Sequence, residues 1–532
     1  MAIDYSGRAS FAYVLVTTSS NVRAIDDVGV LGATGIPVFD TDLADIAFSS
    51  NISNDITWNQ TAGTFTFNRA GNYHIMWNAI TSQSVQHNTQ TYTWLLGTTV
   101  VYTGVNFVQT AFDPVESTHQ RILSVSANDV LTIKAVTQTE AMGIEKGTSL
   151  IITEITSDDF ASTTVTTAGD NTGVAEFNPW DTDLGSVAFA DVGKVASGIV
   201  WSDTAGAMTV PSDGKYFIMV NIIHQNGVNR TNTFKLKKGS EIIWTTVVSG
   251  YNQEDPSETT ICIIQDLSAS DVLTHTWSQS GTGTSPAVFL QTGATFTVWK
   301  LNQDKYIPPF HPGDFMGGFD SLYLSVVSKA QTTASGAVIN PFKTGNYSSA
   351  DFEVKQARGI DFNSASGDFT VRKEGLYMIV YRPTFAAASD AIMTINIIVN
   401  GVVVNSAGTP KVDSSADPRD ITLSAFVALD LGDEIVVNAD SSGPNVTHDA
   451  GTSITILRYY GLFRHLDILE NTTGTPLLSD DNTINTYSRS NTQIDRNSQQ
   501  APFKFGIRGA GTIRNQIGLT KDSVVTLGDK KS

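Results

Sequence analysis

Ile56-x-Trp58-x4-Gly63-x-Phe65-Thr66-Phe67-x3-Gly71-x-Tyr73 is the stretch on which the fold turns, because the chain writes it three times. The second copy runs Ile199-x-Trp201-x4-Gly206-x-Met208-Thr209-Val210-x3-Gly214-x-Tyr216. The third runs Ile360-x-Phe362-x4-Gly367-x-Phe369-Thr370-Val371-x3-Gly375-x-Tyr377, and none of the three needs a gap. Phe65 and Phe67, then Tyr73, Ile75 and Trp77, alternate with polar or small residues. A period of two is the mark of strands that bury one face. Gly63 and Gly71 stand where tight turns would place the backbone at positive φ, a conformation that excludes a side chain.

Further matches extend each copy in both directions. Asp129-Val130-Leu131, Asp271-Val272-Leu273 and Asp433-Glu434-Ile435 fall 56, 55 and 56 residues after the motif tyrosine. The polar segment before each aspartate reads as a turn in which the carboxylate bonds nearby backbone. Each copy then closes on a glycine and an alternating strand, from Gly147, Gly293 and Gly451. Upstream, Phe39-Asp40-Thr41-Asp42-Leu43, Trp180-Asp181-Thr182-Asp183-Leu184 and Phe342-Lys343-Thr344 occupy corresponding places. About eight to ten strands per copy and almost no helical periodicity predict a two-sheet sandwich.

The order of these motifs resembles the globular heads of complement component one q and the tumour necrosis factor superfamily. The third copy is nearest in wording, with Glu374-Gly375-Leu376-Tyr377 and Leu429-Asp430-Leu431-Gly432-Asp433; the others carry Asn128 and Ser270 where the family has glycine. The resemblance implies all-β architecture: three tandem jelly-roll β-sandwiches plus an extended C-terminal arm. It also implies protomers that pack as homotrimers. On this reading residues 1–156 and 157–302 form the first two jelly rolls, 303–319 a linker stiffened by Pro308, Pro309 and Pro312, 320–462 the third, and 463–532 the arm.

The chain has 532 residues, too many for one core. Its formal charge of −19 argues against nucleic acid and anionic membranes as primary partners. No stretch is long and apolar enough to cross a membrane as a helix, and no secretory signal is expected. Cys262, the single cysteine, lies in an apolar run and reads as a small buried strand residue. The eight histidines lack metal spacing, and His74 and His224 read as polar-face or satisfied core positions. Nucleophile elbows, phosphate loops and dinucleotide glycines are missing from any workable context, so no enzymatic activity and no cofactor are expected. Asp40 and Asp42, with Asp181 and Asp183, are the candidate calcium ligands, since carboxylates two apart in a loop converge; the alternative is a solvated turn, and Lys343 interrupts the pattern in the third copy.

The arm differs in character. Nine Lys/Arg against seven acids give it +2 and leave −21 for the rest. Phe503, Lys504, Phe505, Arg508 and Arg514 are the candidate anchor, in a segment whose alternation suits addition to a sheet edge. Together these features suggest a non-enzymatic virion structural protein, a trimeric capsid decoration or head-fibre protein of a phage. It would be assembled in the host cytoplasm, displayed on the virion surface and held to a capsid or other virion protein through residues 463–532. Tandem domains would stack as a homotrimer, each tier burying its apolar stripe against two symmetry mates, or close within one chain as a pseudo-trimer. Two alternatives are a receptor-binding tail fibre or tailspike holding host glycan, with Trp94, Trp180 or Trp244 as exposed stacking surfaces, and a secreted adhesion or signalling protein of the same fold.

Overall fold

The structure is a computed structural model. It describes residues 10–17, 35–41, 48, 52–83, 88–108, 115–137, 142–171, 176–182, 188–189, 195–225, 230–250, 256–280, 288–301, 323–328, 332–334, 338–343, 352–387, 393–408, 419–441, 446–448, 451–460, 503–509 and 512–519. Asp42, Asp183, the linker at 303–319 and the arm other than 503–509 and 512–519 lie outside the described residues.

Every regular element among the described residues is a strand. In the first domain one sheet sets Val115–Val125, Gly71–Gln83, Ser149–Ile155, Phe11–Leu15 and Ile52–Asn54 side by side. The facing sheet sets Ile56–Asn59, Thr64–Phe67, Val130–Thr137, Asn88–Leu96 and Thr99–Val108 in order. Apart from the hairpins Ile56–Asn59 with Thr64–Phe67 and Asn88–Leu96 with Thr99–Val108, neighbours in space are distant in sequence, the crossing pattern of a jelly roll. The second domain repeats it: Pro256–Leu267, Gly214–Gln225, Thr295–Lys300 and Phe160–Thr167 face Val200–Ser202, Ala207–Thr209, Val272–Ser280, Arg230–Lys238 and Glu241–Gly250. So does the third, with Leu423–Leu429, Gly375–Arg382, Ser453–Tyr460, Tyr323–Ser328 and Phe352–Arg358 facing Ile360–Asn363, Asp368–Val371, Glu434–Ser441, Met393–Val399 and Val402–Gly408. In the third domain the long central strand breaks at Pro383, which has no N–H for the ladder, and resumes at Thr384–Ala387.

Each repeat fills its own core between its sheets. The motif aromatics supply it: Phe65, Phe67, Tyr73 and Trp77 in the first copy are fully buried. The motif tyrosine is aromatic and hydroxylated for one reason in all three copies. Its ring enters the core while its hydroxyl donates to the carbonyl four residues upstream: Tyr73 to Arg69 (3.0 Å), Tyr216 to Ser212 (2.7 Å), Tyr377 to Lys373 (2.6 Å).

The glycines divide into two kinds. Gly63, Gly206 and Gly367 have φ of +60°, +53° and +79°, and a Cβ there would come within 2.6 Å of backbone or of Asn340. Those positions need glycine twice over. The glycine of G-x-Y corrects the expectation of positive φ. Gly71 and Gly214 are not among the positive-φ residues; a Cβ at Gly71 would press on Glu154 and Tyr73, and one at Gly214 on Lys300. The side chains of the last strand, Glu154 and Lys300, lie over them.

The turn before the repeated aspartate is left-handed in every copy, with φ of +70° at Asn128, +72° at Ser270 and +90° at Gly432. Asp129, Asp271 and Asp433 each accept the backbone N–H three residues earlier, at 2.7–2.8 Å. Serine pays for the left-handed conformation where asparagine tolerates it. Ser270→Gly is therefore expected to stabilise the fold by about 0.5–1 kcal/mol and Asn128→Gly by less, read as the shift in denaturant midpoint; a loss at Ser270 would sink the assignment of strain.

Candidate functional site

The long central strand of each inner sheet is buried on both sides, which corrects the expectation that each run buries a single face. Tyr73, Ile75, Trp77 and Ala79 enter the first sandwich, yet His74, Met76, Asn78 and Ile80 on the opposite side are equally inaccessible. In the second domain Phe217, Met219, Asn221 and Ile223 repeat this, and in the third Met378, Val380, Arg382 and Thr384. What covers the second face is the other two domains. All three sandwiches belong to one compact unit, residues 8–305 with 321–461.

The contacts run in one sense around the unit. The strand Val115–Val125 of domain one lies against domain two: Gln120 Nε2 donates to the Met219 carbonyl (3.3 Å) and to Thr295 Oγ1 (2.6 Å). The corresponding strand of domain two lies against domain three, where Thr455 Oγ1 donates to the Cys262 carbonyl (2.9 Å). That of domain three returns to domain one, with Ser424 Oγ 2.9 Å from Ser149 Oγ. Gln120, Cys262 and Ser424 are equivalent residues, so one head-to-tail contact is used three times and closes. The sequence left open a stacked homotrimer or a closure within the chain; the structure closes the ring within the chain. The argument that each domain needs two symmetry mates is thereby corrected, because the mates are its siblings.

The glycine that leads each last strand belongs to this contact. Gly147, Gly293 and Gly451 have φ of +96°, +94° and +100°. A Cβ on them would meet the Ser406 carbonyl at 2.7 Å, Gly104 Cα at 2.4 Å and Thr246 Oγ1 at 2.7 Å, each in the neighbouring domain. Tyr102 adds a hydroxyl bond to the Gly293 carbonyl (2.8 Å).

A polar belt crosses the three seams. Asn78 Nδ2 donates to the Thr422 carbonyl (3.2 Å), and Asn221 Nδ2 to the Thr118 carbonyl. Glu116 accepts the Thr422 N–H (3.1 Å), Glu258 the Thr118 N–H (2.5 Å), and Asp420 a backbone bond from Thr260. Asparagine and glutamate thus cap both polar groups of one threonine in the next domain. In the third domain the pair becomes Arg382 and Asp420. Arg382, fully buried, donates from Nε to Asp420 Oδ2 (2.9 Å), from a terminal nitrogen to Thr384 and Gly451 (both 3.1 Å), and from the other to Thr246 (3.3 Å). Its guanidinium also lies 5.2 Å from the Trp244 ring of domain two.

Withdrawal from water sets the ionisation of these groups. It raises Glu116 to about 8, with Asp420's charge adding to the rise, and pushes Glu258 well above the usual carboxylate range, with Glu116 as the next cause. Asp420 is raised as well by burial, against the pull of Arg382. Burial lowers His74 and His448 to about 4 and His119 and His275 to about 3, which keeps them neutral at pH 7.

The residues singled out in the sequence divide between the seams and the domain interiors. His74 and His224 are buried, as the core reading expects; His74 bonds Gln120 (3.2 Å) and lies 4.7 Å from the Trp299 ring. Cys262 is a buried strand residue whose thiol burial pushes up to about 12. Asp40 is nearly buried at 8% exposure and Asp181 is partly buried; among the described residues no group of three or more His, Cys, Asp or Glu could hold a metal ion. Trp94, Trp180 and Trp244 are 0–2% exposed, which corrects their assignment as exposed glycan-stacking surfaces; they pack the cores. Phe503, Lys504, Phe505 and Arg508 lie on Phe503–Gly509, and Arg514 on Thr512–Leu519, which pair as an antiparallel hairpin. Sequence reasoning passed over Asn78, Asn221, Arg382, Glu116, Glu258 and Asp420. The signal was present: a polar residue five positions after each motif tyrosine, inside an apolar strand.

Neither a protein-family model nor a curated protein matches the chain. Solved structures that match parts of it include Eiger TNF from S. frugiperda, at 9% identity over 28% of this chain and 99% of that one, with a TM-score of 0.21. Murine APRIL at pH 5.0 matches at 13% identity over 26% and 99% (TM-score 0.20), and at pH 8.0 at 14% over the same shares (TM-score 0.19). Each domain is a jelly-roll β-sandwich. That statement rests on the strand order above.

Because removing one member of a buried pair strands the other, Arg382→Met is expected to cost about 3–5 kcal/mol. Adding Asp420→Asn should recover part of it in a double-mutant cycle read by urea unfolding. A loss of under about 1 kcal/mol for the single variant would mean that the pair does not hold the seam.

Proposed function

We propose that the chain is a non-enzymatic structural protein of a phage particle, a capsid decoration or head-fibre protein that presents a closed ring of three jelly rolls on the virion surface. The observation that supports this is where its polar chemistry is spent. The buried carboxylates, the buried arginine and the central-strand asparagines bind one domain to the next, so the ring's chemistry serves cohesion. A rigid, acidic head of this kind suits display on a particle exposed to the medium.

Residues 463–532 are the proposed anchor to a capsid or other virion protein. Phe503, Lys504, Phe505, Arg508 and Arg514 are carried by the antiparallel hairpin Phe503–Gly509 with Thr512–Leu519. Any homotrimer in this reading is made through surfaces other than the inner faces of the jelly rolls, which their siblings cover.

Mass-spectrometric inventory of purified particles should find the chain in stoichiometric amount, and absence from them ends this reading. Deletion of 463–532 should leave a folded ring that sediments as a single chain and no longer decorates particles. A truncated ring that still decorates would remove the anchor assignment alone.

A further inference from the structure

The seam between domains one and two carries two carboxyl groups on a single residue. Thr118 Oγ1 donates to Glu116 Oε1 (2.7 Å) within domain one, while the Thr118 N–H donates to Glu258 Oε1 of domain two (2.5 Å). Glu116 also takes the Thr422 N–H of domain three (3.1 Å), so this junction touches all three domains. Glu258 Oε2 is buried and makes no hydrogen bond among the described residues. The charged and titratable groups that face the pair are Asp420, Arg382, Tyr92 and Tyr102, with Arg121 acting on Tyr102. Arg382 is committed to Asp420, Thr384, Gly451 and Thr246. Neither glutamate has an ion pair with a cation among the described residues.

We propose that the Glu116–Thr118–Glu258 junction is a proton-loaded latch: the ring is held most tightly while these carboxyls carry protons, and loosens as they ionise. Two carboxylates hung on one threonine, beside a third carboxylate and with Arg382 already engaged by Asp420, repel one another when charged. A bound proton removes that repulsion and leaves each N–H bond intact. The ionisation shifts agree in direction, burial raising both glutamates, Glu116 to about 8.

The sign follows from linkage. A carboxyl whose folded pKa lies above its unfolded value of about 4.3 binds more protons folded than unfolded, so its contribution is complete below that value and falls as pH rises through the folded pKa. The buried histidines act the other way and only below about pH 6.5. A comparison of variants at each pH cancels them. This latch is independent of the proposed virion role and requires only the ring.

The test is denaturant unfolding of the full chain and of Glu116→Gln and Glu258→Gln at about pH 5.5, 7 and 8.5. From the lowest to the highest pH the wild-type unfolding constant should rise relative to that of either variant by about ten-fold or more, the variants equalling or exceeding the wild type at the top of the range. Parallel curves, or a uniform loss in the variants at every pH, overturn the latch and leave plain hydrogen-bond acceptors. If a variant fails to fold, infrared difference spectra of the wild type decide instead. A protonated-carboxyl band that persists at about pH 7 and disappears on further alkalinisation supports the proposal, and its absence at about pH 7 overturns it.

Discussion

A sheet that is apolar on both faces must be covered on both, and the rest of this structure depends on that requirement. The central strand of each jelly roll turns one side to its own core and the other to a surface that would otherwise bring His74, Met76 and Ile80, or Phe217, Met219 and Ile223, into water. Burying such side chains is worth about 1.5–3 kcal/mol each, so a single jelly roll with an uncovered inner face would be poorly stable and adhesive. Three copies in one chain remove the problem without a partner: each inner face is closed by the next domain, and the third contact returns to the first.

Close packing around such a ring is demanding, and the sequence meets it with backbone. Gly147, Gly293 and Gly451 combine a left-handed φ with contact distances at which no Cβ fits. The aromatic cross-contacts are also seam features: the Phe11 and Phe426 rings meet edge-on at 5.7 Å, and His74 meets Trp299. Substitution of a seam glycine would therefore be felt between domains before it was felt within one.

The ring is not symmetric. Two seams use a short amide with a long carboxylate, Asn78 with Glu116 and Asn221 with Glu258; the third uses a long cation with a short carboxylate, Arg382 with Asp420. The two solutions differ in charge. Arg382 is met by Asp420 of its own domain and reaches across the seam to Thr246, so the asymmetry places this cation at one seam. It also leaves the pair of glutamates without a cation, the circumstance from which their bound protons follow.

Much of each sandwich was legible in the sequence because its cause is local. The period of two around Phe65 and Tyr73, the turn at Gly63 and the aspartate turns at Asp129, Asp271 and Asp433 are set by residues within a few positions of one another. Even there, local pattern misjudged Gly71 and Gly214, which do not adopt positive φ and lie beneath Glu154 and Lys300 of a distant strand. The polar belt was closed to such reading. Asn78 finds Thr422 across 344 residues, and Arg382 finds Thr246 across 136. Sequence by itself determined three jelly rolls, their core faces and their turns. Only tertiary structure decided what covers the second face and where the buried charges meet, because those contacts are made between domains that no local spacing relates.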